Sequence, residues 1–147
     1  MRTRKMLFFA VCLVVCLLPL GVVAAQDVAP LVTIRVTDPL AAETKPTQIP
    51  NPGEFTVYRS NLAPAMDLYV YYKIDGTATN GRDYRTLSGL VVIPANARSA
   101  TIPVLPIDDN LLELPESVVV QLTHVCTLTF CAVNPSDPVK VTIYDND

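Results

Sequence analysis

Beyond residue 30, hydrophobic and polar positions alternate with a period of two, which sends successive side chains to opposite faces of an extended strand. Residues 31–36 set Val32, Ile34 and Val36 on one face, and residues 55–59, Phe-Thr-Val-Tyr-Arg, repeat the period. Leu68, Val70, Tyr72 and Ile74 predict a third strand whose other face carries Tyr69, Tyr71 and Lys73. Residues 89–93, 101–105, 117–122 and 139–144 bring the expectation to seven strands with turn signals between them;. Pro103, inside the fifth, lacks an N–H and marks that strand as a sheet edge. With 13 prolines in 147 residues, no apolar stripe of helical period survives at useful length. Seven short strands and no helix predict an all-β fold, a β-sandwich of two sheets.

The N-terminus departs from this pattern. Arg2, Arg4 and Lys5 precede a fourteen-residue apolar run at residues 7–20, followed by Gly21 and the small residues Val23-Ala24-Ala25. Charge, apolar run and small-residue site are the three parts of a secretory signal peptide, with cleavage expected after Ala25. A membrane span needs about 20 apolar residues, and Pro19-Leu20-Gly21 ends this run early, which disfavours an uncleaved anchor. Lipid attachment at Cys16 is disfavoured by Val15, which stands where such processing prefers a small residue. The expectation is a secreted or cell-surface chain, signal peptide 1–25 and a single domain 26–147, with no membrane span in the mature chain.

Removing the leader sharpens the charge. The whole chain carries a net −3. Three of its 11 basic residues leave with the leader and none of the 14 acidic ones, so eight face 14 and the mature charge is −6. No basic patch remains to bind nucleic acid. Cys126 and Cys131 are the two cysteines left. In an oxidising compartment they pair most simply, stapling a hairpin tip, the alternative being two packed thiols. With one histidine, His124, a zinc site is not expected. His124 itself reads as a surface or hairpin residue, Tyr69 and Tyr71 as cover for the sheet, and Asp75-Gly76 as a turn. Paired carboxylates suit glycoside hydrolysis, but these sit on tight turns with few aromatic side chains to hold a sugar. No enzyme activity is expected.

The acidic residues are not spread evenly. If consecutive strands run up and down in turn, the connections after strands one, three and five share a pole with the end of strand seven. Glu43, Asp83, the run Asp108, Asp109, Glu113 and Glu116, and the terminal Asp145 and Asp147 lie in those four places. Two unit charges about 4 Å apart repel by roughly 4 kcal/mol at an effective dielectric of 20. Such groups must spread into water, take up protons or bind a cation. Only Lys45, Arg82 and Arg85 lie nearby in sequence. Carboxylates with Asn and backbone carbonyls are the hard oxygen ligands of Ca²⁺; a solvated acidic rim is the alternative.

Gly53-Glu54-Phe55-Thr56-Val57-Tyr58-Arg59, the run from Asp75-Gly76-Thr77-Ala78 to Gly81-Arg82-Asp83-Tyr84, and Ile107-Asp108-Asp109 followed by Glu113 and Glu116 occur in that order. With the closing Val141-Thr142-Ile143-Tyr144-Asp145-Asn146-Asp147, they resemble the Calx-β domain, the repeat of sodium/calcium exchanger regulatory loops and integrin β4. The resemblance covers residues 31–147. It implies a seven-stranded immunoglobulin-like Greek-key sandwich whose calcium-binding members hold ions at one pole. The family's metal ligands would fall on Glu43, Asp83, Asp108, Asp109, Glu113, Glu116, Asp145 and Asp147. Thr44 departs from the family's frequent Gly, and Asn146 replaces an Asp. The implied function is a secreted, non-enzymatic Ca²⁺-binding module, stiffened by calcium for adhesion or for a protein or cell-surface partner. The alternative is a calcium-independent structural or adhesive sandwich.

Overall fold

A computed structural model of the chain describes residues 32–60 and 65–147. The expected leader at 1–25 and the first residues of the expected domain lie outside the described residues. Nine strands follow in order: β1 Val32–Asp38, β2 Leu40–Ala42, β3 Gly53–Arg59, β4 Leu68–Gly76, β5 Leu90–Ile93, β6 Ser99–Val104, β7 Glu116–Cys126, β8 Cys131–Val133 and β9 Val139–Tyr144. One sheet has the order β1-β3-β6 and the other β2-β9-β7-β4-β5, with β8 also on β7. The chain crosses between sheets after β1, β2, β3, β5 and β6, the Greek-key connections of an immunoglobulin-like sandwich;. All seven expected strands form, and β6 with its Pro103 is indeed an edge.

Two strands exceed the expected seven. Asp38 and Leu40 flank Pro39, which has no N–H for the first sheet's ladder, and there the chain changes sheets;. Beyond it β2 runs parallel to β9, pairing Leu40, Ala41 and Ala42 with Thr142, Ile143 and Tyr144. β8 exists because β7 runs four residues past its expected end at Leu122. A bulge at Thr123 hides that continuation. Tyr71 faces His124 while Tyr72 faces Leu122, so Thr123 is the extra residue, and the inward face passes from Val118, Val120 and Leu122 to Val125;.

The inward positions of the period-two pattern make the core. Val32 and Ile34, Phe55 and Val57, Leu68 and Val70, Ile102 and Val104, Val118 and Val120, and Val141 and Ile143 meet between the sheets. Each aliphatic or aromatic side chain so buried stabilises the fold by roughly 1.5–3 kcal/mol. Arg59, next inward position after Phe55 and Val57, is also buried. Its guanidinium donates to the carbonyls of Ile93 (2.9 Å) and Met66 (3.3 Å), tying the end of β3 to the opposite sheet. At the same pole Asn134 clasps Val32, donating to its carbonyl at 2.8 Å and accepting from its N–H at 3.4 Å.

The pairings fix the strand directions. β3 runs antiparallel to β1 and β6, β7 antiparallel to β4 and β9, and β5 antiparallel to β4. The loops after β2, β4 and β6 therefore share one pole with the residues after β9. The disulfide Cys126–Cys131 closes the β7–β8 hairpin at the other pole, across a directly paired position of that ladder. Among the described residues, no helix is long and apolar enough to cross a membrane.

Candidate metal centre

Each acidic side chain at the first pole is placed by a local device. Glu43 follows β2, and its N–H donates to the Tyr144 carbonyl at 2.9 Å, so the parallel β2–β9 pairing sets it beside Asp145. Asp83 closes a tight turn: its carboxylate accepts the Thr79 N–H at 2.6 Å, while the N–H groups of Arg82 and Asp83 both donate to the Thr79 carbonyl at 3.1 Å. Gly76, at φ 121°, makes the approach to this turn possible. A β-carbon there would stand 2.1 Å from the Ser117 carbonyl oxygen, and the left-handed backbone favours glycine. Asp75 assists, accepting the Gly76 N–H at 2.8 Å.

The loop after β6 is tied across the pole. The Ile107 N–H donates to the Asp83 carbonyl at 3.0 Å. Asp108 accepts the Asn146 side-chain amide at 2.6 Å, and the Glu113 N–H donates to Asp145 at 2.8 Å. Asp109 accepts the N–H of Leu111 at 2.7 Å, an Asx turn;. Asp145 also accepts the Asp147 N–H at 3.0 Å.

All eight expected ligand residues thus reach one pole, but not one point. Asp83, Glu113 and Glu116 each bring an oxygen within 4.8 Å of the others. Glu43 lies beside Asp145, Asp109 and Glu113, so Glu113 adjoins both groups. Asp108 is engaged by Asn146, Asp109 turns to its own loop, and Asp147 is exposed at the rim. Arg82 lies 3.6 Å from Asp83 and 3.9 Å from Glu113, and it is 63% exposed.

This leaves negative charge poorly compensated. Burial, followed by the Asp145 charge and then those of Asp109 and Glu113, pushes the Glu43 carboxyl up to about 7, although the Asp109 N–H opposes the rise. Burial likewise raises Glu116, helped by its hydrogen bond to Asp83 and by the charges of Asp83 and Glu113, with Arg82 opposing. Asp145 moves down instead, because the N–H groups of Glu113, Asp147 and Asn146 favour its ionised form.

Besides the Tyr84 hydroxyl, two oxygens of this acidic pole have no hydrogen-bond partner among the described residues. Glu43 Oε2 and Asn146 Oδ1 are buried without a hydrogen-bond partner, and Glu43 is only 6% exposed. Burying an acceptor unpaired costs about 1–3 kcal/mol, more for a charged group. An all-oxygen donor set with two unpaired buried acceptors fits a hard cation that takes six to eight oxygens, as Ca²⁺ does. Asn146 is the residue that composition undervalues. As an Asp substitute it reads as lost charge, whereas its amide nitrogen holds Asp108 and leaves its oxygen to the site.

A family model described as the Calx-beta domain matches residues 52–147. Among solved structures, the apo-form Calx CBD1 domain is similar at 21% identity, with 80% of this chain and 99% of that one covered and a TM-score of 0.51. CBD12 from CALX1.2 is similar at 22% identity and a TM-score of 0.50, with 78% of this chain covered and 44% of that one. The chain therefore spans less than half of that second structure. A comparison with curated proteins finds no match.

Proposed function

The chain belongs to the Calx-beta domain family, and on that premise we propose that it is a secreted, non-enzymatic Ca²⁺-binding β-sandwich module, stiffened by the ion for adhesion or interaction. The observation that carries the reading is the buried, unpartnered Glu43 Oε2 among carboxylates. Asp83, Glu113 and Glu116 would hold one cation. Glu43, Asp109 and Asp145, with the Asn146 oxygen, offer a second group of ligands; Asp108 and Asp147 lie within reach of the same pole and complete the proposed set. A bound cation supplies charge neutralisation and a cross-link. These side chains come from the segments after β2, β4 and β9 and from the loop after β6 with the start of β7, so joining them adds a further restraint to segments already tied by hydrogen bonds.

Binding to the folded state alone adds RT ln(1 + [L]/Kd), about 2.7 kcal/mol at a hundredfold excess. That corresponds to roughly 10 °C in melting temperature for a domain of this size. The test is thermal unfolding in EGTA, in Mg²⁺ and in about 5 mM Ca²⁺, roughly 5- to 50-fold above the Kd of sites of extracellular type. Ca²⁺ should raise the melting temperature of the parent and not of the Asp83→Ala, Asp109→Ala double variant. No rise in the parent would leave a calcium-independent structural or adhesive sandwich.

A further inference from the structure

Arg82 stands against the three-carboxylate group because of the turn it shares with Asp83. That turn uses one oxygen of Asp83, Oδ2, which accepts the Thr79 N–H at 2.6 Å. The other, Oδ1, is left facing Arg82, 3.6 Å from Nε. A second guanidinium nitrogen, Nη2, lies 3.9 Å from Glu113 Oε1. The guanidinium therefore spans two of the three residues, Asp83, Glu113 and Glu116, whose oxygens converge within 4.8 Å. Both separations exceed the roughly 2.7–2.9 Å of a charge-assisted hydrogen bond, so charge rather than directional bonding holds Arg82 there. Asp83 and Glu113 are 8% and 24% exposed, whereas the Arg82 side chain, at 63%, has room to swing into water.

We propose that Arg82 is a built-in competitor for the divalent cation, and so the residue that sets how tightly this group binds it. The inference rests on the Ca²⁺ reading above. Glu113 joins the group to the one that holds the buried, unpartnered Glu43 Oε2. Arg82 Nε, where it stands, lies no more than about 6 Å from a Ca²⁺ held about 2.4 Å from Asp83 Oδ1;. At that range a single positive charge repels a divalent one enough to weaken binding about tenfold, even at the dielectric constant of water. An arginine farther off than a Debye length of about 8–10 Å would be largely screened, and Arg82 is inside it. Without the ion its charge offsets part of the carboxylate repulsion. With the ion it either stays at that cost or gives up its two carboxylate partners, and both raise Kd.

The test is calorimetric titration with Ca²⁺ of the full chain, of Arg82→Gln and of Arg82→Lys, with thermal melts of each in EGTA and in Ca²⁺ alongside. Arg82→Gln should bind Ca²⁺ about tenfold more tightly than the parent, and Arg82→Lys, which keeps the charge, within about twofold of it. The gap between Gln variant and parent should narrow at about 1 M salt, where the screening length falls to about 3 Å. A Gln variant that binds no tighter than the parent would overturn the competitor role while the cation site stands. So would a Lys variant that tightens as much as Gln, or a gap that salt leaves unchanged. Neither binding heat nor a Ca²⁺-dependent rise in melting temperature in any of the three proteins would overturn both.

Discussion

Replacing Glu43 with Gln removes one charge from a buried position while keeping its shape and an acceptor for the Asp109 N–H. The carboxyl is raised from its ordinary 4.5 to about 7 in the folded chain, so without a cation its ionised form opposes folding. Below pH 4.5 the group is protonated in both the folded and unfolded states, and there is no penalty. As pH rises from there through 7 the unfolded state releases its proton first, and stability falls. Above 7 the loss levels off at about 3 kcal/mol, an order-of-magnitude figure at 1.36 kcal/mol per pH unit. In EGTA at pH 8, Glu43→Gln should therefore melt about 10 °C above the parent, and at pH 4 the two should coincide. With Ca²⁺ at pH 8 the difference should shrink or reverse, because only the parent keeps the full ligand set. Calorimetric melts at both pH values are the assay. A variant no more stable than the parent in EGTA at pH 8, or equally stabilised at pH 4, would refute an uncompensated Glu43 charge.

Gly76→Ala should destabilise by about 3 kcal/mol or more, since it combines a positive φ with a hard contact on the Ser117 carbonyl;. Denaturant titration should show an earlier midpoint, and an unshifted midpoint would mean that the β4–β5 turn yields freely. Replacing Cys126 and Cys131 together with Ser opens the loop closed at the β7–β8 tip and should cost about 2 kcal/mol from loop entropy. The Ca²⁺ titration of that variant should match the parent, because the disulfide lies at the pole opposite the carboxylates; a changed affinity would show that the two poles are coupled.

The seven principal strands were legible because a period of two is a local property. Each strand's inward residues can be counted without knowing its neighbours, and Phe55, Val57, Val118 and Val120 are buried as that count requires. Even Arg59 falls inward on the count, though its partners, the carbonyls of Ile93 and Met66, are in no way implied by its neighbours in sequence. The count failed where pairing, not pattern, decides. The Thr123 bulge changes the phase of β7 and only the β4 register exposes it. β2 is three residues long and exists through its parallel alignment with β9.

The same division runs through the site. Sequence by itself placed eight carboxylates at one pole, because alternating strand directions send alternate connections to the same end. It could not say which of them meet. Grouping Asp83 with Glu113 and Glu116, and Glu43 with Asp145, depends on long-range hydrogen bonds at the pole, as between Asp108 and Asn146, 38 positions apart, and between Glu43 and the still more distant Tyr144. Burial decided the rest: whether a carboxylate oxygen is left without water or a donor, as Glu43 Oε2 is, follows from what packs around it, and only tertiary structure sets that.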